Sequence, residues 1–408
     1  MHDNTHFENP FRPGAGHRPP YLAGRESEFG EFDRLLTPQF ILENMVLTGL
    51  RGVGKTVLLD AFKPRAQRAG WLWVGADLSE SATISEDNIA VRLLTDLSVI
   101  TANLAVATER VPGMGFAAPD GSREIKLDYR TLSGIYAGTP GLAHDKLKSA
   151  LEFAWQAMTR EGRNQVAGVV FAYDEAQNLA DHAEKEQFPL SLLLDVFQSI
   201  QKKGIPFMLL LTGLPTLFPK LVDARTFAER MFRVVFLDRL GREESRAAIV
   251  RPMETADCPV RVDDGTIDLI IDLSGGYPYF IQFICREMYD AFVQGSAEGA
   301  TIPVDAILVK LDTDFFAGRW NRVSDRQKAL LYVIAQTEHA DGEFSIAEIV
   351  ALSGRFLQKP FSASHIGQML TALAAAGLIY KNRHGKYSFA VPLLDDFINR
   401  QPEDQFFG

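Results

Sequence analysis

The stretch Gly49-Leu-Arg-Gly-Val-Gly-Lys-Thr56 decides the fold of this chain, because it matches the pattern G-x-x-x-x-G-K-T without a mismatch. Glycines in this pattern let successive backbone N–H groups turn inward and form a concave site for phosphate oxygens. The helix that follows points its positive N-terminal end at the same place. We therefore predict that the loop binds a nucleotide phosphate through Gly49, Gly52, Val53, Gly54, Lys55, Thr56 and Val57.

Two side chains of this loop have predicted roles of their own. Lys55 supplies a point charge to the β- and γ-phosphates, and the Thr56 hydroxyl is a ligand for Mg²⁺. An apolar run over residues 44–48 precedes the loop, and a helical pattern over residues 55–62 follows it. This strand–loop–helix context favours a phosphate site over a chance glycine-rich turn.

A second apolar run, Val169-Val-Phe-Ala-Tyr-Asp-Glu175, ends in two acids. A buried strand does not tolerate carboxylates unless they have a function, and open α/β sheets bind ligands at the carboxyl ends of their strands. We predict that Asp174 holds Mg²⁺ through its water shell and that Glu175 polarises the attacking water. The pair favours an ATPase over phosphoryl transfer to a small molecule. The alternative is an Asp174 that only caps the next helix.

Three further residues are candidate parts of the same site. Thr212 ends the run Met208-Leu-Leu-Leu-Thr212, where its hydroxyl can reach the γ-phosphate or the attacking water. Arg230 and Arg233 lie just before the next predicted strand, where an arginine can reach the nucleotide of a neighbouring subunit and stabilise the transition state. The alternatives are an ordinary threonine at a strand end and plain surface arginines, and the sequence does not say which arginine acts.

Strands and helices alternate over residues 25–239, which predicts an α/β core with a parallel sheet and helices on both faces. Residues 1–24 form a Pro/Gly-rich arm whose aromatic side chains indicate docking onto the rest of the chain. Residues 108–142 interrupt the alternation with a Gly- and Pro-rich segment, interpreted as a surface insertion and a candidate partner-contacting loop. The strands of the sheet are predicted at residues 44–48, 71–76, 165–173, 206–211 and 234–237.

After residue 239 the alternation of strands and helices is predicted to stop, and helices predominate. Residues 240–318 contain amphipathic helices and are predicted to form a small all-α unit. Residues 319–408 are predicted to form a winged helix and a tail, with three helices followed by a hairpin. The second helix opens with a capping box of Ser345 and Glu348, and the third begins at Ser364.

The composition is that of an ordinary globular protein, with 46% hydrophobic and 23% charged residues and a formal net charge of −10 over 408 residues. No run approaches the roughly 18 apolar residues of a membrane span, and the N-terminus lacks the apolar run of a secretory signal. Two cysteines are too few for a disulfide framework. We therefore expect a cytoplasmic protein without a membrane partner. The acidic total argues against binding nucleic acid through bulk charge.

In this order, the motifs resemble those of the AAA+ P-loop ATPases, and among them the group of origin-recognition initiators and archaeal-type ATPases. The resemblance covers almost the whole chain and includes Asn9-Pro-Phe11 and Tyr21-Leu-Ala-Gly-Arg-Glu26, similar to the family's N-terminal box beside the adenine. It implies ATP and Mg²⁺ as cofactors and association into homo-oligomers. It also implies nucleotide contacts from Tyr21, Arg25 and, in a helical lid over residues 240–318, Pro278.

The lid departs from the family pattern at one position. Ser274-Gly-Gly-Tyr-Pro-Tyr279 is similar to the family's lid motif, but Tyr279 stands where many members carry an arginine. Arg286 is the nearest cation on the same predicted helix. This departure from the family pattern affects the lid's contact with the phosphate and hence the hydrolysis rate, and it is consistent with tight nucleotide binding and slow turnover.

Initiator-like ATPases end in a winged helix, and the resemblance implies that this module binds double-stranded DNA. Between residues 319 and 400 ten basic residues stand against seven acids, and Lys381, Arg383 and Lys386 on the wing suit phosphate contacts. The recognition helix offers Gln368, which can pair with adenine, but no arginine or lysine.

We therefore expect an ATP-dependent oligomeric switch whose winged helix holds double-stranded DNA. The alternative is a signalling or scaffold ATPase, in defence or in the regulation of transposition. In that case the winged helix and the segment 108–142 would bind a partner protein.

Overall fold

The computed structural model describes residues 8–14, 16–38, 40–111, 121–160, 166–256, 258, 262–293, 303–338, 340–383, 385–402 and 406. Among these residues, no helix combines the length and the low polarity that crossing a bilayer requires. The strands are β1 (Asn44–Thr48), β2 (Trp71–Val74), β3 (Ala105–Val111), β4 (Gly121–Lys126), β5 (Gly168–Tyr173), β6 (Phe207–Gly213), β7 (Phe232–Phe236), β8 (Phe344–Ser345), β9 (Ile379–Arg383) and β10 (Lys386–Phe389). The helices are α1 (Glu26–Leu36), α2 (Lys55–Arg68), α3 (Glu86–Thr101), α4 (Tyr129–Gly138), α5 (Ala143–Met158), α6 (Pro189–Gln201), α7 (Leu217–Ala224), α8 (Ala228–Met231), α9 (Arg242–Thr255), α10 (Asp264–Ser274), α11 (Pro278–Val293), α12 (Val304–Leu311), α13 (Ala317–Trp320), α14 (Asp325–Ala335), α15 (Ile346–Phe356), α16 (Ala363–Ala375) and α17 (Leu394–Asn399).

The central sheet has the strand order β2-β5-β6-β1-β7, and all of its pairs are parallel. Every residue of β1, β5 and β6 is buried, because these strands have neighbours on both sides and helices over both faces. The five strands predicted from the sequence all lie in this sheet. The predicted α/β fold class is therefore confirmed.

Helices cover both faces of the sheet. On one face α1 and α2 pack through Phe32 and Phe62, whose rings stack with their centroids 4.2 Å apart. On the other face α3, α5 and α6 form a larger apolar layer, in which Phe197 meets Phe171 of β5 edge to face at 5.2 Å. With the sheet enclosed in this way, the carboxyl ends of β1, β5 and β6 lie side by side at one edge.

The segment 108–142 differs from the loop that its composition predicts. β3 and β4 pair as an antiparallel ribbon, and α4 follows, with Asp128 as an N-cap that accepts from the backbone N–H of Thr131 at 2.9 Å. Leu127 and Leu132 are buried in the same apolar layer as α3 and α5. The described part is thus a ribbon and a helix with two buried leucines, while Ile125, Tyr129 and Leu142 stay exposed, and its interpretation as a surface insertion stays a prediction. Residues 112–120 lie outside the described residues, and partner contact stays a prediction.

The described part of residues 240–318, predicted as a helical unit, contains helices α9 to α12, and α13 extends beyond the predicted boundary to Trp320. α9, α10 and α11 pack together around an apolar centre. α12 continues through one π-helical turn, Asp312–Phe316, into the short helix α13. A π-turn inserts wider spacing into a helix and is frequent at functional sites.

The C-terminal unit combines α14, α15 and α16 with an antiparallel sheet of order β8-β10-β9. Ser345 and Glu348 form the predicted capping box at the start of α15. The third helix begins earlier than predicted, because Ser362 rather than Ser364 caps it by accepting from the N–H of His365 at 3.3 Å. Three helices with a hairpin and a short third strand are the arrangement expected of a winged helix.

One apolar core runs through the lid and the C-terminal unit without a break. Phe316, at the end of the π-turn, stacks on Phe397 of α17 with centroids 4.7 Å apart. Trp320 of α13 meets the same ring edge-on at 5.5 Å. The described part of the N-terminal arm joins this core through the buried ring of Phe11.

Candidate nucleotide-binding site

The glycine-rich loop between β1 and α2 depends on glycines with positive φ. Gly52 has φ +78° and Gly54 has φ +92°, a left-handed backbone that other residues adopt only with strain. A Cβ at Gly49 would lie 2.4 Å from the carbonyl oxygen of Leu237. Gly54 is the N-cap of α2, so the first N–H groups of that helix belong to the loop and have no partner within the helix. The loop thus has the backbone of an anion site.

Lys55, the first residue of α2, holds its ammonium group against the loop. Nζ donates to the carbonyl oxygens of Gly49 at 2.9 Å and Leu50 at 2.8 Å. Burial lowers the pKa of Lys55 to about 8, and the negative charges of Asp174 and Glu175 partly oppose this shift. A phosphate group in the loop would supply the counter-charge and solvation that burial removes.

Asp174, directly after β5, brings three of the candidate residues together. It is 4% exposed. Its Oδ2 accepts from the Thr56 hydroxyl at 2.5 Å, and its Oδ1 accepts from the Thr212 hydroxyl and from the backbone N–H of Glu175 at 2.8 Å. Thr212 reaches this position because β6 lies beside β5 in the sheet.

The oxygen atoms around Asp174 suit Mg²⁺, which prefers carboxylate, hydroxyl and water ligands. No cluster of three or more His, Cys, Asp or Glu side chains in the described ranges could hold a metal ion by itself. A Mg²⁺ ion beside Thr56 and Asp174 would therefore take its remaining ligands from nucleotide phosphates and water.

Glu175 has an unusual backbone, and its carboxylate is engaged. Its φ of +52° lies in the left-handed region, which costs a non-glycine residue about 1 kcal/mol or more and is frequent at active sites. Its Oε2 accepts from the side-chain amide of Gln177, whose Oε1 accepts from the N–H of Leu214 at 3.2 Å. Sequence reasoning missed Gln177. The only indication of Gln177 in the sequence is its position two residues after the pair Asp174-Glu175.

A cleft of about 290 Å³ lies over the loop, between the N-terminal arm, the loop and the lid. This volume is close to the lower limit for a small-molecule site, about 300 Å³. The candidate residues that line it are Tyr21, Arg25, Gly52, Val53, Gly54, Lys55, Thr56, Val57, Glu175 and Pro278.

The arm closes the cleft through contacts with the lid. The side-chain amide of Asn9 donates to the carbonyl oxygen of Arg286 at 3.1 Å and to Asp290 Oδ1 at 2.8 Å. The backbone N–H of Arg12 donates to Gln282 Oε1 at 3.2 Å. All three acceptors belong to α11, so the arm is tied to the lid.

Arg25 lies in the wall of the cleft with its guanidinium bonded to protein groups. It donates to Glu28 at 3.1 Å, to the carbonyl oxygen of Val53 at 3.0 Å and to that of Asp238 at 2.9 Å. It is only 5% exposed. Arg25 therefore ties the loop to the chain that follows β7.

The arginines that line the cleft are not the one that the sequence pointed to, Arg286. The backbone N–H of Tyr279 donates to the carbonyl oxygen of Gly52 at 3.1 Å, while Arg286 pairs with Glu287 at 2.6 Å and does not line the cleft. Arg51 and Arg319 line it instead. The sequence places Arg319 among the basic residues of the terminal module and does not indicate that it lines the cleft.

The two candidate arginines for a neighbouring subunit have different surroundings. Arg233 donates to Glu31 of α1 at 2.8 Å. Arg230 is exposed on α8 and has no carboxylate partner in the described part of the chain. Arg230 is thus the more available of the two.

The candidate DNA contacts are also unequal. Gln368 and Lys381 are exposed. Arg383 pairs with Glu343 at 2.7 Å and Lys386 lies 3.7 Å from Glu348. Part of the positive charge of the wing is therefore neutralised within the C-terminal unit.

Comparison with known proteins supports the fold. A family model described as a domain of unknown function (DUF8462) matches residues 313–398, and no curated protein matches the chain. Among solved structures, the Walker-type ATPase PABY2304 of Pyrococcus abyssi has a TM-score of 0.59 and 15% sequence identity, over 94% of this chain and 97% of that one. The ORC2 protein of Aeropyrum pernix in its ADP form has a TM-score of 0.54 and 16% identity, over 95% and 97% of the two chains.

These similarities cover nearly the whole chain, and at such identities they bear on the fold. They agree with the order of motifs along the sequence and with the strand order of the sheet. The chain therefore shares the fold of PABY2304 and of the ORC2 protein, an α/β fold as its motifs predict.

Proposed function

We propose that the chain binds ATP in the cleft between sheet and lid and hydrolyses it slowly to ADP and phosphate. The observation that carries this proposal is the meeting of Lys55, Thr56, Asp174 and Thr212 beside a glycine loop with an anion-binding backbone. The enclosed cleft over that loop gives the rest of a nucleotide a place to lie.

In the proposed reaction a water molecule attacks the γ-phosphorus, and the bond from that atom to the β–γ bridging oxygen breaks, so that ADP leaves with the oxygen. Glu175 accepts a proton from the water, and Thr212 orients the water or the γ-phosphate. Lys55 neutralises charge on the phosphate oxygens. Thr56 and Asp174 would hold Mg²⁺, which when bound adds positive charge beside the phosphates.

The contacts of Glu175 support slow turnover. Its carboxylate accepts from Gln177, which anchors to the chain after β6. This contact holds the carboxylate of Glu175 beside Gln177 instead of leaving it free to turn toward an attacking water.

We infer that subunits associate so that Arg230 of one approaches the nucleotide of the next. An arginine at this point stabilises negative charge on the transferred phosphoryl group. The support is its exposure and its freedom from a carboxylate within the described residues, whereas Arg233 is held by Glu31.

The first candidate for the terminal module is binding of double-stranded DNA in the ATP state. Its support is the basic balance of residues 319–400, the exposed Gln368 on α16 and the exposed Lys381 on the wing. The second candidate is a partner protein, as in a signalling or scaffold ATPase. The observation that favours it is the pairing of Arg383 and Lys386 with Glu343 and Glu348, which leaves less charge for phosphates.

The test combines nucleotide binding, hydrolysis and mobility shift of a DNA duplex. We expect Lys55→Ala to lose ATP binding and Glu175→Gln to bind ATP without hydrolysing it. If ATP-loaded protein does not shift duplex DNA even at low salt, where electrostatic binding is strongest, the DNA candidate is rejected. Recovery of a stoichiometric protein from the native host would then support the second candidate, and repeated failure to find one would count against it.

A further inference from the structure

Two guanidinium groups, those of Arg51 and Arg319, line the same cleft without a carboxylate partner in the described ranges. Arg51 is the third residue of the glycine-rich loop, and its Nε is buried without a hydrogen-bond partner. Arg319 donates through Nη1 to the carbonyl oxygen of Phe315 at 2.7 Å. By contrast, Arg25 and Arg286 both pair with neighbouring glutamates.

Arg319 reaches the cleft through a π-helical turn and a pair of aromatic rings. The π-turn before α13 places the ring of Phe315 beside that of Tyr279, with centroids 5.1 Å apart, and Tyr279 is bonded through its backbone to Gly52 of the loop. The guanidinium of Arg319 lies 4.8 Å from the centre of the Phe315 ring. The π-turn is held from outside by an ion pair between Asp312 and Arg400, 2.5 Å apart.

The positive charges of Arg51 and Arg319 favour the binding of an anion between them. Burial, and then the charge of Arg51, lower the pKa of Arg319, because both make the charged form less favourable. Arginine nevertheless stays protonated in proteins. The two guanidinium groups therefore repel each other until an anion binds in the cleft. Two arginines beside a phosphate loop match the geometry of a phosphate, which accepts several charge-assisted hydrogen bonds at once.

We propose that Arg319, together with Arg51, binds the γ-phosphate of ATP from the lid side. In the proposed function the loop backbone and Lys55 bind the β-phosphate, and Lys55 also reaches the γ-phosphate. The terminal phosphate is the group that adds charge on going from ADP to ATP. The pair therefore distinguishes ATP from ADP. This inference rests on the proposed function, because it requires ATP in the cleft.

The experiment compares the dissociation constants of ADP and of a non-hydrolysable ATP analogue by calorimetry. In Arg319→Gln we expect the analogue to bind about 10- to 100-fold more weakly, the range for loss of a charged hydrogen bond, while the affinity for ADP changes less than about 3-fold. Arg286→Gln is the matched control, since Arg286 is a lid arginine outside the cleft, and it should leave both constants unchanged. Arg319→Lys should restore part of the preference.

Each outcome bears on a different claim. An unchanged ratio of the two constants in Arg319→Gln, or an equal loss for both nucleotides, overturns this inference while the proposed function stands. Wild-type protein that binds neither nucleotide overturns both. Thermal unfolding of the free protein shows whether Arg319→Gln is folded; if it is not, Arg51→Gln provides the same comparison of ADP with the ATP analogue.

Discussion

Raising the pH should weaken nucleotide binding through a single side chain. Burial holds the pKa of Lys55 at about 8 in the free protein, so its ammonium group loses the proton as the pH rises through that value. A bound phosphate interacts with the charged form and raises the pKa of Lys55 in the complex. Binding at alkaline pH must therefore take up a proton.

The size of the effect follows from linkage between the proton and the nucleotide. Between about pH 7.5 and about pH 9.5 the neutral fraction of Lys55 in the free protein rises from about a quarter to nearly all, which predicts a 20- to 30-fold (about 2 kcal/mol) loss of affinity. The loss of nucleotide affinity at high pH is not caused by unfolding of the protein through Lys55. The unfolded chain, with Lys55 at 10.5, binds more protons than the folded chain between about pH 8 and 10.5, so this group makes the folded state more stable as the pH rises.

Calorimetry in two buffers with different ionisation enthalpies measures the dissociation constant and the proton uptake together. We expect uptake of close to one proton per nucleotide near pH 9. Lys55→Arg is the control, because a guanidinium stays charged throughout this range, so whatever affinity it retains should not fall with pH in this way. A dissociation constant that is independent of pH, together with no proton uptake, would refute Lys55 as a buried ligand of the phosphate.

Three other substitutions have direct readouts. Glu175→Gln should lower the rate of ATP hydrolysis about 100-fold or more with little change in ATP affinity; a rate within a few-fold of wild type would remove Glu175 as the base. Arg230→Ala should lower the hydrolysis rate of assembled protein, whereas Arg233→Ala should not; the reverse result would exchange their roles. Arg25→Ala should lower the free energy of unfolding by about 3 kcal/mol, because Glu28 is left buried without its charged partner. Arg34→Ala, which breaks an exposed pair, should change it by less than about 1 kcal/mol. Equal free energies of unfolding for the two variants in urea titrations would contradict this.

The parts of the site that follow from the sequence are those with local signals. The glycine loop is a contiguous pattern whose positive φ values need glycine. Asp174 and Thr212 each end an apolar run, and parallel pairing of β5 with β6 then places their side chains together. The meeting of the two side chains also depends on the strand order, which places β5 next to β6.

The parts that sequence reasoning missed depend on contacts between distant segments. Arg319 enters the cleft because a π-turn places Phe315 beside Tyr279, and such a turn leaves no pattern in residue type. Gln177 matters through its contact with Glu175, but a glutamine after an acid pair is unremarkable in sequence.

The segment 108–142 shows a third kind of difficulty. Its glycines and prolines indicate a loop, yet α4 lies within it and buries Leu132. A single amphipathic helix of ten residues is easily hidden by breakers on either side, because its apolar positions are few. Only the packing against α3 and α5 decides its structure.

The unbroken core between lid and C-terminal unit has a mechanical consequence. Parting the two would expose the rings of Phe316, Trp320 and Phe397, at roughly 1.5–3 kcal/mol for each large side chain. The joint therefore resists bending. Any rotation of the lid would be carried outward to α16 and the wing, where the same angle sweeps a longer arc.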